Sequence, residues 1–225
     1  MKAVILLSGG LDSSTVLYQA IADGYECHTI SFDYQQRHQR ELHSALAIAQ
    51  KAGVVDHQVV KFDLRQWGGS ALTDDAIELP QKRSVEEMSQ SIPVTYVPAR
   101  NTIFLSFALA YAETIDAQYV YIGVNALDYS GYPDCRPDYI QAMQEVFRLG
   151  TKQGRSGQTI SINTPLIHLK KTEIIQIGNK IGVPWELTWS CYVGGDVACG
   201  VCDSCRLRLA AFAELGLKDP LAYAD

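Results

Sequence analysis

Residues 4–14 read Val-Ile-Leu-Leu-Ser-Gly-Gly-Leu-Asp-Ser-Ser, and this stretch predicts a buried strand, a glycine turn and the start of a helix. The apolar run ends at Leu7, and residues 15–22 continue with a helical pattern. Backbone N–H groups converge on such a turn and the helix dipole favours negative charge, so the turn is a candidate phosphate site. A carboxylate there, Asp12, requires a bridging cation such as Mg²⁺.

This turn differs from the common phosphate-binding motifs. No lysine follows the glycines as in G-x-x-x-x-G-K-[ST], and the glycines are adjacent rather than spaced as in G-x-G-x-x-G. The string Ser8-Gly9-Gly10-Leu11-Asp12-Ser13 resembles instead the S-G-G-x-D-S signature of the ATP pyrophosphatases, or PP-loop enzymes. The resemblance implies that the loop holds the pyrophosphate end of ATP, which is cleaved between its α and β phosphates. The alternative is a glycine turn that only joins a strand to a helix.

The rest of the chain predicts alternating strands and helices. The predicted strands are residues 3–7, 27–32, 57–62, 119–123 and 159–162, and the predicted helices are residues 13–22, 40–51, 102–114, 139–149, 172–181 and 203–215. This alternation predicts an α/β fold with a parallel twisted sheet flanked by helices. Ligands bind such sheets beyond the carboxyl ends of the strands. We expect a single domain over residues 1–225, with two long connections, 63–98 and 124–138, covering the nucleotide site.

The composition limits the class of protein. The chain has 225 residues, 47% of them hydrophobic, and a net charge of −6. No apolar run reaches the ~18 residues of a membrane helix, and no signal-peptide pattern opens the chain, so we expect a cytoplasmic protein. The acidic balance argues against a general nucleic-acid binder, which would carry a basic face.

Four cysteines lie close together near the end of the chain, within residues 191–205. They are Cys191, Cys199, Cys202 and Cys205. Their C-x7-C-x2-C-x2-C spacing suits tetrahedral zinc, and an iron–sulfur cluster or free thiols are the alternatives. A zinc knuckle of this kind would contribute folding free energy and no chemistry, because four cysteines leave no open coordination position.

Three further segments narrow the resemblance. Residues 33–38 read D-Y-Q-Q-R-H, residues 97–101 read V-P-A-R-N, and residues 125–137 read N-A-L-D-Y-S-G-Y-P-D-C-R-P. With the four cysteines, they resemble the 7-cyano-7-deazaguanine synthase family from the first strand to the last helix. Gln35 stands where the family pattern D-Y-G-Q-R-H has glycine, which puts the geometry of that turn in question. The resemblance implies an adenine nucleotide alpha hydrolase-like fold and a homodimer.

The resemblance also implies a reaction. The family's enzymes are ligases that form a C–N bond and convert 7-carboxy-7-deazaguanine and ammonia to 7-cyano-7-deazaguanine (preQ0) in queuosine biosynthesis. Two successive adenylations, from acid to amide to nitrile, would release AMP and pyrophosphate, with ATP, Mg²⁺ and Zn²⁺ as cofactors. Free ammonium is the expected nitrogen donor, because residue 2 is lysine and not the cysteine that an N-terminal-nucleophile glutaminase needs.

Site residues follow from the same resemblance as expectations. The catalytic candidates are Asp12, Ser13 and Arg37. The candidates for binding ATP are Ser8, Gly9, Gly10, Leu11, Asp12, Ser13, Ser14, Thr15 and Arg100. The candidates for binding the substrate are Tyr34, Arg37, His38, Asn125, Asp128, Tyr132, Asp134 and Arg136. Arg37 is expected to pair with the substrate carboxylate or a phosphate, since a guanidinium fork suits both. Lys170 and Lys171 precede a predicted helix, either as phosphate contacts or as an exposed pair.

Two other functions stay open at this point. A PP-loop tRNA-modifying enzyme that thiolates or aminates a base would share the loop, but we would expect it to carry a basic surface or an RNA-binding extension. A non-catalytic nucleotide-binding regulator with a zinc knuckle would have no evident need for Asp12 or for the polar groups of residues 124–138.

Overall fold

A computed structural model describes residues 1–84, 87–88, 91–126 and 132–224. The strands are β1 Lys2–Leu6, β2 Glu26–Asp33, β3 Asp56–Lys61, β4 Tyr119–Tyr121 and β5 Ser161–Asn163. The α-helices are α1 Leu11–Ala22, α2 Arg40–Ala52, α3 Arg100–Thr114, α4 Pro137–Gly150, α5 Lys152–Arg155, α6 Lys171–Ile181 and α7 Asp203–Glu214. Within these described ranges, no helix has the length and apolar character needed to cross a membrane.

The predicted α/β fold is confirmed. Every predicted strand and helix is present, with bounds that differ by at most two residues, and all neighbouring strands pair in parallel. The single-turn helix α5 was not predicted, because it lacks a periodic apolar face and is held by a local cap, in which Thr151 Oγ1 accepts a hydrogen bond of 2.9 Å from the Gly154 N–H.

The strand β1 lies at the centre of the sheet, whose order is β3-β2-β1-β4-β5. Ala3 and Ile5 face a core that includes residues of α1, α2, α6 and α7, and Val4 and Leu6 face a second core with residues of α3 and α4. A central parallel strand is buried on both faces and therefore needs an uninterrupted apolar run. The opening stretch of the sequence supplies that run.

The order of the strands reverses at β1. The chain builds β2 and β3 on one side of this strand and β4 and β5 on its other side. Segments leaving the carboxyl ends of β1 and β4 therefore diverge and open a crevice, which is where ligands bind in open α/β sheets. Residues 7–10, which join β1 to α1, lie at this crevice.

The turn after β2 has glutamine where the sequence pattern led us to expect glycine. Gln35 adopts a φ of 62°, in the left-handed region that glycine enters without cost. Its backbone N–H donates to Asp33 Oδ1 at 3.3 Å, and its side chain is exposed. The substitution therefore costs local backbone strain, about 1–2 kcal/mol for a residue with a side chain, and leaves the turn intact.

A substitution at Gly178 tests how tightly α6 packs against the segment that leads to the cysteines. A Cβ added at Gly178 would lie 2.2 Å from Cζ2 of Trp185. We expect Gly178→Ala to lower the free energy of unfolding by about 1–3 kcal/mol, because the rigid indole has to move. Gly150→Ala at the end of α4 is the matched control, since nothing lies within 4 Å of its added Cβ. Urea unfolding followed by circular dichroism measures both, and equal stability of the two variants would contradict the packing argument.

Candidate active site

Three serine hydroxyls order the turn between β1 and α1. Ser13 Oγ and Ser14 Oγ donate to the carbonyl oxygen of Gly10 at 3.2 Å and 2.6 Å. Ser8 Oγ lies 2.9 Å from Ser13 Oγ, and the backbone N–H of Ser8 also donates to Ser13 Oγ at 3.2 Å. The first N–H groups of α1 have no partner within the helix, so they point out of an ordered turn towards the crevice. This arrangement is suited to an anion.

Gly9 brings the turn into contact with two other parts of the chain. A Cβ at this position would lie 2.4 Å from the carbonyl oxygen of Glu41 and 2.6 Å from the backbone nitrogen of Ala45, and the φ of Gly9 is 81°. Its own carbonyl accepts a 2.8 Å hydrogen bond from the backbone N–H of Trp189. Both the close approach and the left-handed backbone require glycine here.

Asp12 forms an ion pair with Lys171, the first residue of α6. The Lys171 ammonium group lies 2.8 Å from each carboxylate oxygen of Asp12, and the two side chains are partly exposed, 29% for Asp12 and 17% for Lys171. Lys170 is exposed, so only one of the two adjacent lysines reaches the turn. A partly exposed carboxylate beside a phosphate turn also suits Mg²⁺, which binds through one or two carboxylates, phosphate oxygens and waters.

A cavity of about 310 Å³ opens beside the turn, between the ends of β1, β2 and β4. The predicted site residues that line it are Ser8, Leu11, Asp12, Ser13, Tyr34, Arg100, Asn125 and Tyr132. The rings of Phe32 and Phe104 also line it, and they stack with their centroids 4.0 Å apart. The cavity therefore joins a turn that is suited to an anion to an aromatic wall.

Arg100 supplies a positive charge in this cavity. Burial opposes that charge, but Tyr34, Tyr132 and Asp134 outweigh the effect of burial and raise the pKa of Arg100 above its usual range. The buried Nε of Arg100 has no hydrogen-bond partner among the described residues. A charged guanidinium with an unused donor is a candidate partner for a carboxylate or phosphate.

Other predicted residues lie beside the main cavity. Arg37 and His38 line a smaller adjoining cavity of about 50 Å³. Arg37 Nη2 donates to the carbonyl oxygens of Asp74 and Ile77 at 3.1 Å and 2.9 Å, so this nitrogen binds the connection 63–98, whereas the buried Arg37 Nε has no hydrogen-bond partner among the described residues.

The remaining predicted residues have other surroundings. Asp134 is buried, and its carboxylate accepts a 3.1 Å hydrogen bond from the backbone N–H of Asn101. Arg136 is exposed and pairs with Asp138 at 3.3 Å. Ser14 and Thr15 are buried and bond back to the helix, whereas Gly9 and Gly10 shape the turn itself. Asp128 lies outside the described residues.

The four cysteines come together as predicted. The Sγ atoms of Cys191, Cys199, Cys202 and Cys205 all lie within 4.8 Å of one another. Backbone N–H groups donate to their sulfurs, from Val193 and Cys199 to Cys191 and from Cys202 to Cys199. Hydrogen bonds from the Cys202 and Cys205 thiols hold the pKa of Cys191 far below its usual value. Such a cluster can hold one metal ion.

This cysteine knuckle, residues 189–205, also forms part of the cavity wall. Ser190, Tyr192 and Ser204 line the main cavity. Val201 accepts a 2.9 Å backbone hydrogen bond from Lys82, and Asp203 pairs with Arg83, so the knuckle holds the connection 63–98 as well. A group predicted to act only in folding therefore lies against the candidate active site.

Lys171 and Glu41 are charged site residues outside the predicted set. The sequence leaves two alternatives for Lys171, a phosphate contact or an exposed position, and the structure places it on Asp12. Glu41 on the first turn of α2 lines both cavities. Burial raises the pKa of Glu41 to about 7, although the charge of Arg100 partly counters this rise. No local pattern marks Glu41, because its position depends on how α2 packs against Gly9.

Comparisons with known proteins agree with this geometry. A family model described as "Queuosine biosynthesis protein QueC" matches residues 2–216. The 7-cyano-7-deazaguanine synthase of Nostoc sp. is 83% identical over 224 residues, covering 100% of this chain and 98% of that protein. The enzyme of the same name from Thermoplasma acidophilum is 60% identical over 223 residues, covering 99% of this chain and 92% of that protein. The solved NMN synthetase of Francisella tularensis superposes with a TM-score of 0.51 at 15% identity, covering 96% of this chain and 78% of that chain, which shows a shared fold alone.

The cysteine cluster predicts a tightly bound metal ion. We expect Cys205→Ser to lose most of that metal and to lower the melting temperature, because metal-binding free energy is folding free energy in such sites. Cys27→Ala is the matched control, since Cys27 is a buried thiol of β2 outside the cluster. Elemental analysis of the purified variants and thermal unfolding are the measurements. Equal metal content in the two variants would contradict the assignment.

Proposed function

This chain belongs to the queuosine biosynthesis protein QueC family, and we propose that it converts 7-carboxy-7-deazaguanine, ammonia and ATP to 7-cyano-7-deazaguanine. The observation that carries this proposal is the match to synthases of that name over the whole chain. The cavity supports it, because an anion-binding turn and an aromatic wall suit a nucleotide beside a flat heterocyclic acid. We treat residues 1–225 as a single ATP pyrophosphatase-type domain.

In the first half of the reaction, the substrate carboxylate becomes an electrophile. A carboxylate resists attack because its leaving group would be oxide. Attack of its oxygen on the α-phosphate of ATP releases pyrophosphate and forms an acyl-adenylate, from which ammonia displaces AMP to give the amide. Backbone N–H groups of Gly9, Gly10 and Leu11, with the hydroxyl of Ser13, would hold the departing pyrophosphate.

In the second half, the amide oxygen attacks the α-phosphate of a second ATP and releases pyrophosphate. AMP then becomes the leaving group again, and its loss yields the nitrile. Both oxygens of the original carboxylate leave on AMP, one per ATP. One cavity serves both halves, because each step activates an oxygen on the same carbon. The protein is accordingly proposed to be a C–N ligase that uses two ATP and free ammonium.

The charged side chains have separate proposed roles. Asp12 would hold Mg²⁺ together with phosphate oxygens, and the bound ion would neutralise phosphate charge as the α–β bond breaks. Lys171 would then turn from Asp12 to a phosphate. We propose Arg100, rather than Arg37, as the partner of the substrate carboxylate or the α-phosphate, because Arg100 lines the main cavity, whereas Arg37 lines the smaller one and its Nη2 is used by two backbone carbonyls. Tyr34, Tyr132 and Asn125 would contact the deazapurine.

We propose zinc for the cysteine cluster. Tetrahedral coordination with Zn–S of ~2.3 Å places sulfurs ~3.8 Å apart, and Cys199 Sγ and Cys205 Sγ are 4.0 Å apart. In an iron–sulfur cluster the thiolates bind several irons and stand farther apart. The resemblance to the synthases also carries our proposals of a homodimer and of a cytoplasmic location.

A product assay tests the proposed function. We expect the wild-type protein, given 7-carboxy-7-deazaguanine, ammonium and Mg-ATP, to form the nitrile with AMP and pyrophosphate. Because each oxygen leaves on its own AMP, about two AMP should accompany each nitrile. Mass spectrometry follows the amide and the nitrile, and liquid chromatography separates the nucleotides. ADP as the only nucleotide product, or base modification of tRNA instead of the nitrile, would overturn the assignment.

Lys171 tests the phosphate site. We expect Lys171→Met to lower kcat/KM for ATP by about 10²–10³-fold, the usual effect of removing one charged group from a transferring phosphoryl site. Lys170→Met is the matched control: it alters the adjacent, exposed lysine and should stay within about twofold of the wild type. Steady-state kinetics at saturating acid and ammonium give both values. Similar losses in the two variants would show that Lys171 has no specific role.

A further inference from the structure

The proposed reaction leaves protons to be removed. An ammonium ion brings four N–H bonds, and the nitrile nitrogen has none. Adenylation of the carboxylate transfers no proton, so every proton loss belongs to the nitrogen, on the way to the amide and then to the nitrile. A proton acceptor in the cavity would serve these steps. This inference rests on the proposed function.

Two carboxylates line the main cavity in the described part of the chain, Asp12 and Glu41. Both oxygens of Asp12 accept hydrogen bonds from Lys171. The Glu41 carboxylate accepts no hydrogen bond from the residues that the structure describes, and no ion pair within 4.0 Å joins it to Arg100. The thiol of Cys135 also lines the cavity, but burial raises its pKa to about 12. Glu41 is therefore the group with free lone pairs.

The backbone places Glu41 beside the phosphate turn. Its own carbonyl oxygen would lie 2.4 Å from a Cβ on Gly9, so the first turn of α2 packs directly against the turn after β1. The Glu41 side chain lines both cavities, as do Tyr34, Arg100 and Tyr192. The carboxylate thus lies where the turn, the arginine and the aromatic wall meet.

We propose that Glu41 is the proton acceptor for the substrate nitrogen. In the last step, the Glu41 carboxylate takes the N–H proton of the adenylated amide, R–C(=NH)–O–AMP. The N–H electron pair becomes the third C–N bond, and the C–O bond breaks with its electron pair leaving on the AMP oxygen. The products are the nitrile, AMP and protonated Glu41, which returns its proton to water.

The electrostatics of the site agree with this role. Burial raises the pKa of Glu41 to about 7; the positive charge of Arg100 on α3 lowers it, and Cys191 of the knuckle raises it. Tyr34, after β2, and His38, before α2, face the same small cavity. A group with such a pKa exchanges protons efficiently near neutrality. Because the ionised form is the acceptor, the rate should rise with pH through about 7.

Glu41→Gln separates proton removal from nucleotide chemistry. We expect the variant to keep acid-dependent exchange of pyrophosphate into ATP without ammonium within about twofold, because that step moves no proton. Its kcat for conversion of the amide to the nitrile should fall by about 10²–10⁴-fold, with the KM for ATP unchanged and the acidic limb of the pH profile lost. Glu41→Asp should recover part of the rate and the pH limb.

His43→Gln is the matched control, because His43 is an exposed titratable residue of α2 outside both cavities and should behave as the wild type. A Glu41→Gln variant that retains the wild-type kcat and pH profile with the amide would overturn the proposal. Loss of pyrophosphate exchange together with nitrile formation would also overturn it, since Glu41 would then act in nucleotide binding or folding. A wild-type protein that forms no nitrile from the amide refutes the proposed function itself, so the two failures are distinguishable.

Discussion

The close approach of Gly9 to α2 is the contact on which the rest of the site depends. The turn after β1 reaches within van der Waals distance of the α2 backbone, and the same residue accepts a hydrogen bond from Trp189. A side chain at Gly9 would push these segments apart. Glu41 would move with α2, and the knuckle residue Tyr192 would move with the segment at Trp189. Both residues line the cavity. One missing Cβ therefore sets the width of the candidate active site.

The cysteine knuckle links metal binding to this site. A metal ion there would hold together the four cysteines between residues 191 and 205, and Ser190, Tyr192 and Ser204 are part of the cavity wall. The buried pair Arg208–Asp219 supports the segment leading into the knuckle, because the Arg208 guanidinium also donates to Thr188 Oγ1 at 2.7 Å. Since buried charges are tolerated when fully hydrogen-bonded, this pair orders the wall. The same segment consequently holds the candidate metal ion and forms part of the cavity wall.

The charged groups of the cavity fall into two sets, one whose members are paired with each other and one whose members are not. Asp12 and Lys171 neutralise each other at the phosphate turn, whereas Arg100 has an unused donor and Glu41 has unused acceptors. The proposed reaction needs both kinds of group, because it binds anions and removes protons. If Arg100 and Glu41 formed a close ion pair, each would cancel the other, so their separation preserves an anion partner and a carboxylate that titrates near neutrality.

The sequence by itself determined the order of strands and helices, the position of the candidate phosphate turn and the set of clustered cysteines. These features are encoded locally, in an uninterrupted apolar run, adjacent glycines before a helix, and short cysteine spacings. The tertiary structure alone decided which lysine reaches Asp12, that Arg37 binds the backbone while Arg100 lines the cavity, and that Glu41 lies at the site. Each of these depends on contacts between elements far apart in the chain, because the direction of a side chain is set by how its helix packs and not by its neighbours in sequence.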